Sequence, residues 1–134
     1  FLSDKCPKTL VKEIEQSEAG YLPELWQEIA DLGWMGLVFP EKYGGGNMSF
    51  LDLSVLLEVM GGTCLPGPFF STVVLGGLPL LDAGDEAQKQ KYLPKIASGK
   101  AIFTLALTEP EANYDAPQSQ LKLPLVTTLI LSMV

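Results

Sequence analysis

Helix-period apolar stripes, each closed by glycine or proline, fill the chain as far as residue 100, and only then does one short strand-like run appear. That order excludes alternating βαβ units, because helices followed by strands segregate into separate layers or domains. The expected fold class is mainly α, a helical bundle followed by the start of a β-domain. Leu10, Val11 and Ile14 recur at helical spacing among Lys12, Glu13 and Glu15 and predict a helix over 8–18. Pro23 suits a first helical turn, Leu25, Trp26, Ile29 and Leu32 form one stripe, and Gly33 is its stop. Pro40 and three successive glycines over 44–46 then predict a flexible turn. They lack the Lys and hydroxyl of a phosphate-binding loop.

Ser49 and Asp52 have the spacing of a capping box. The helix after them carries Leu53, Val55, Leu56, Leu57, Val59 and Met60, apolar on nearly every side, and is expected at the domain centre. Pro66, Gly67 and Pro68 break the chain before a second apolar stretch, over 69–81, whose Ser71, Thr72, Gly76 and Gly77 permit close approach. Asp85 and Gln88 predict another capping box, opening a helix with Tyr92, Leu93 and Ile96 on its buried side and Ser98 and Gly99 at its end. From 101 to 107 a nearly continuous apolar run between Gly99 and Pro110 predicts a buried strand. Its ladder partners must come from elsewhere, since a lone strand leaves backbone groups unpaired.

Composition narrows the chemistry. The 134 residues suffice for about one domain. The net charge of −7, with every one of the nine cations a Lys, argues against nucleic-acid binding. The absence of His removes the usual nucleophile–base pairs and the commonest metal ligand, and no metal site is expected. Cys6 and Cys64 are too few for a disulfide framework and suggest a reducing compartment, the cytoplasm. No run reaches the roughly 18 apolar residues of a membrane span. Glu13, Glu15, Glu24 and Glu28 read as a solvated face, and Trp26 and Trp34 as core aromatics.

Three ordered blocks resemble the acyl-CoA dehydrogenase family. They are Leu32, Gly33 and Trp34 running into Pro40, Glu41, Tyr43, Gly44 and Gly45; then Gln88, Lys89, Tyr92, Leu93 and Pro94; then Thr108, Glu109 and Pro110. Together they extend over about 8–115. The resemblance implies an FAD-dependent enzyme that removes hydrogen across the α and β carbons of an acyl-CoA thioester. It implies a homo-oligomer that can pass electrons to an electron-transfer flavoprotein. The family's base belongs to a downstream helical domain, so no catalytic residue is assigned here. Leu105, Leu107 and Thr108 are the flavin candidates that the resemblance implies, and Ser71, Thr72 and Leu75 the substrate-side ones. Tyr114 stands where relatives carry a small hydroxyl that touches cofactor or substrate, so that acyl-CoA contact is expected to differ.

The organisation expected is a helical domain over 1–100, the first strand and turn of a truncated β-domain over 101–115, and an atypical tail over 116–134. The tail is apolar from Leu121 onward, with Lys122 its one charge, and reads as an out-of-frame or truncated ending that would favour aggregation. A start at Phe1 rather than Met reads as a fragment, inactive alone. The competing expectation is a non-catalytic helical interaction module of the same fold. An oxidase-like relative would differ in residues this sequence does not reach.

Overall fold

The computed structural model describes residues 1–105, and these are mainly helical. The sequence order is α1 (Leu2–Lys5), α2 (Lys8–Glu15), α3 (Pro23–Asp31), two 3₁₀ turns (Trp34–Gly36 and Glu41–Tyr43), α4 (Phe50–Gly62), a π-helix (Phe70–Gly77), α5 (Leu78–Ala83) and α6 (Glu86–Ala97). The expected tail and most of the expected β-domain start lie outside the described residues.

Both capping boxes form. The Asp52 N–H donates to Ser49 Oγ at 3.3 Å while the Ser49 N–H donates to the Asp52 carboxylate at 2.9 Å, and Asp85 and Gln88 exchange the equivalent pair at 2.8 and 3.0 Å. Each box satisfies two amide groups that a helix start leaves unpaired. α2 ends earlier than the 8–18 stripe suggests. The Ser17 hydroxyl donates to the Ile14 carbonyl at 2.7 Å and accepts from the Gly20 N–H at 3.1 Å, so a local turn replaces another helical turn. α1 has no periodic signal because it is four residues long; Leu2 and Cys6 bury it, and Lys5 pairs with Glu28 of α3 at 2.7 Å. Glu28 therefore does more than solvate a face, whereas Glu13, Glu15 and Glu24 are exposed.

The core centres on the irregular segment after α3. Met35 and Phe39 are fully buried. The 3₁₀ turn Trp34–Gly36 lies between α3 and α6, and α6 also packs on the second 3₁₀ turn, α5 and the π-helix. Leu93 and Ile96, on the face of α6 expected to be buried, are fully enclosed. The Trp26 indole N–H donates to the Gly99 carbonyl at 2.8 Å, joining α3 to the end of α6. Trp26 is a core aromatic as expected, while Trp34 is half-buried and meets Phe1 edge-on. Leu32 lies at the last turn of its stripe and is 49% exposed, so the buried face of α3 is narrower than the sequence suggests.

Two expectations are corrected. The run of glycines over 44–46 is not free: the Gly46 N–H donates to the Gly36 carbonyl at 3.0 Å, and the N–H groups of Asn47 and Met48 to Phe39 and Leu37, each at 2.9 Å. α4 is not central either. Only Leu53 and Met60 are buried along it, and Phe50, Leu51, Val55 and Val59 are 62%, 72%, 58% and 52% exposed. Hydrophobicity on every side of a helix predicts that it will be covered, but not that its own domain supplies the cover.

Three substitutions test this packing. A side chain at Gly45 would overlap the carbonyls of Phe39 and Gly36, so Gly45→Ala is expected to destabilise by about 1–3 kcal/mol, read from denaturant melts. Along α4, Leu53→Ala is expected to destabilise by about 2–5 kcal/mol. Val59→Glu should change stability by less than about 0.5 kcal/mol while lowering fluorescence of a hydrophobic dye.

Candidate functional site

Of the flavin candidates, Leu105 is described, and Leu107 and Thr108 lie outside the described residues. Residues 101–105 leave α6 with Ala101 and Phe103 buried, Ile102 and Thr104 half-buried and Leu105 exposed. Ile102 and Leu105 occupy isolated β-bridge positions, and no strand forms among the described residues. The run is thus not uniformly buried. Its inward side chains alternate until the helical layer stops supporting them, and Leu105 emerges 44% exposed at the end.

The substrate-side candidates sit on or beside the π-helix. Its i→i+5 bonding is wider than an α-helix and brings residues four and five apart onto one face. Gly76 faces Phe103, with a Cβ at Gly76 falling 2.5 Å from the Phe103 Cβ, and one at Gly77 would fall 2.6 Å from the Phe39 ring. The close approach that the small residues permit is therefore with Phe103 and Phe39. Ser71 and Leu75 are half-buried, and the Ser71 hydroxyl donates to the Pro68 carbonyl at 3.0 Å. Thr72 is 0% exposed. Its hydroxyl accepts from the Phe103 N–H at 3.2 Å and donates to the Phe103 carbonyl at 3.3 Å. A ligand thus has no access to Thr72, whose hydrogen bonds are spent on backbone. Tyr114 lies outside the described residues.

Two apolar grooves flank α4. One, about 320 Å³, is lined by Leu57, Met60, Cys64, Leu65, Phe69 and Phe70 among others. The other, about 430 Å³, is formed by Trp34, Leu37, Asp52, Val55, Leu56 and Val59. Ser71, Thr72 and Leu75 line neither. Sequence reasoning missed this surface, although the surplus of apolar residues on α4 was the available signal.

The titratable residues offer little acid–base chemistry. Lys42 contacts Glu86 at 3.2 Å and lies over the Tyr43 ring at 4.6 Å, while the buried Tyr43 hydroxyl donates to Glu86 at 3.0 Å. Hydrogen bonds from Tyr43, then Lys42 and Gln90, hold the Glu86 carboxyl below its ordinary value, and those involving Tyr43 and Glu86 hold Lys42 above its own. Lys42 and Glu86 are solvent-exposed, and with Tyr43 they tie the second 3₁₀ turn to the start of α6. Asp52 is likewise lowered by its bonds with Ser49. Burial pushes the Cys6 thiol up, away from the reactive thiolate. Among the described residues no group of three or more Cys, Asp or Glu could hold a metal ion, and no helix is long and apolar enough to cross a membrane.

This helical arrangement has counterparts. Residues 1–100 match the family described as acyl-CoA dehydrogenase, N-terminal domain. The chain is 36% identical over 116 residues to the mitochondrial isovaleryl-CoA dehydrogenase of Bos taurus, covering 83% of this chain and 27% of that protein. It is 37% identical over 92 residues to the acyl-CoA dehydrogenase FadE12 of Mycobacterium tuberculosis strain H37Rv, with 67% of this chain and 24% of that protein covered. The crystal structure of an acyl-CoA dehydrogenase complexed with FAD from Bacillus anthracis superimposes with a TM-score of 0.75 at 30% identity, over 88% of this chain and 21% of that one. The chain belongs to the acyl-CoA dehydrogenase family and carries its N-terminal helical domain. It spans about a quarter of the length of these curated relatives.

The Glu86 bonds predict a pH dependence. A carboxyl whose folded pKa is depressed contributes stability above its unfolded pKa and loses it as pH falls through the folded value. Glu86→Gln should therefore melt lower than the parent at neutral pH and lose less on acidification through the carboxylate range.

Proposed function

We propose that this chain is the N-terminal part of an FAD-dependent acyl-CoA dehydrogenase, an oxidoreductase that acts on the α and β carbons of an acyl-CoA thioester and has no turnover as this chain alone. The observation that carries the reading is the similarity of the described helices to those of the FAD-complexed Bacillus anthracis enzyme, at a TM-score of 0.75. When bound, FAD supplies the hydride acceptance that amino-acid side chains lack.

The residues present fit such a group to the extent they are described. Leu105 is an exposed apolar side chain at the end of a segment that Phe103 anchors in the core. In this reading Leu105, Leu107 and Thr108 face the flavin, the last two lying outside the described residues. Ser71 and Leu75 lie toward the acyl group, Tyr114 alters the contact made there, and Thr72 acts from behind through backbone. Residues 1–100 form the helical domain, 101–115 begin the β-domain and 116–134 are an atypical tail. Fatty-acid metabolism, a homo-oligomer, an electron-transfer flavoprotein partner and a cytoplasmic location complete the proposal; the bovine relative is a mitochondrial protein.

The exposed face of α4 favours a second reading, a non-catalytic helical module that pairs with another subunit. Apolar side chains in a row with more than half their surface in water are typical of an interface awaiting its partner.

A chimera separates the two. Residues 1–105 replace the corresponding segment of the bovine isovaleryl-CoA dehydrogenase, and the purified protein is examined for flavin absorbance and enoyl-CoA formation. A yellow, active chimera is the expected outcome. A folded but colourless one would count against the flavin reading and favour the module.

A further inference from the structure

Thr72 is fully buried, and both hydrogen bonds of its hydroxyl go to a single residue 31 positions away. A hydroxyl on a helix ordinarily bonds back to its own helix, as Ser71 does to Pro68. Thr72 instead gives Phe103 an acceptor for its N–H and a donor for its carbonyl. That is the exchange a residue of a neighbouring antiparallel strand would make, both bonds with one partner. Phe103 has no such strand beside it among the described residues, so a side chain supplies the missing rung.

The rest of the seat is packed around Phe103. Gly76, on the same face of the π-helix, leaves no room for a side chain opposite the Phe103 Cβ, and the Tyr92 ring meets the Phe103 ring edge-on at 5.6 Å between centroids. Phe103 is 1% exposed. A slip by one residue would bring Ile102 or Thr104 to this seat and change which side chain emerges beyond the helices.

We infer that Thr72 is a positioning residue: its hydroxyl fixes the register of residues 101–105 and thereby presents Leu105 outward. The inference rests on the flavin reading above for what Leu105 is presented to, while the clamp itself can be tested without flavin.

The test is amide hydrogen exchange by NMR on the full chain, comparing the parent with Thr72→Val, which keeps the shape and removes the hydroxyl, and Thr72→Ser, which keeps the hydroxyl. In Thr72→Val the Phe103 amide should exchange about tenfold faster while the amides of Leu93 and Ile96 keep the parent rates, and Thr72→Ser should restore protection. Unchanged exchange at Phe103, an equal rise at all three amides, or a serine variant that behaves as valine would overturn the inference. Should the valine variant fail to fold, the parent decides: a slowly exchanging Thr72 hydroxyl proton with a cross-peak to the Phe103 amide is expected, and its absence overturns the clamp. In the chimera, Thr72→Val should lower flavin content and Thr72→Ser recover it; full flavin content with valine would overturn the positioning role. A chimera that keeps Thr72 and holds no flavin would speak against the flavin reading, with the exchange rates still deciding the clamp.

Discussion

Burial of Met35 and Phe39 in a segment of 3₁₀ turns and loop, with no α-helix, is the interaction on which the other elements depend. α3, α6 and the π-helix do not meet around a central helix; they meet around this short piece of chain, and its backbone must be satisfied as fully as its side chains are buried. Hydrogen bonds returning from residues 46–48 to Gly36, Leu37 and Phe39 do this, acting in place of a ladder. The second 3₁₀ turn is then held to α6 through Tyr43 and Glu86, so that the N-terminal and C-terminal halves of the described chain close over the same two side chains.

Much of this was legible in the sequence where the signal is local. Ser49 with Asp52 and Asp85 with Gln88 specify helix starts through bonds within four residues, and both form as read. Leu93 and Ile96 mark the inner face of α6 for the same reason: one helix presents one stripe. The failures lie where the outcome depends on what surrounds an element. Apolar content predicted that α4 would be covered, and nothing local to α4 says that α3 and α6 would take the centre first. The π-helix was equally hidden, because its wider turn changes which residues share a face without any residue type that announces it.

The residues behind the family resemblance are instructive in the same way. Gly33, Trp34, Pro40, Tyr43, Gly44 and Gly45 belong to the segment that builds the core, and Tyr92 and Leu93 pack against it or against Phe103. They identify the family by architecture rather than by chemistry. That explains why the family was readable while the site was only sketched: of the flavin candidates only Leu105 falls in the described residues. Thr72 stands out in the sequence as a small polar residue in an apolar run. The sequence did not say whether its hydroxyl faces a ligand or a backbone 31 residues away. Gly76, four residues on, was the clue, since a hydroxyl beside a missing side chain suits an incoming main chain.

The glycine contacts give the core a direction in which it can vary. Gly36 lies against Ala97, Gly77 against the Phe39 ring and Gly99 against Ala30, each at a spacing that a methyl group would overfill. None of these three glycines can grow, and the two alanines facing them can shrink only to glycine. Within the described residues, added volume is therefore accommodated along the exposed flank of α4 and not at these three glycines.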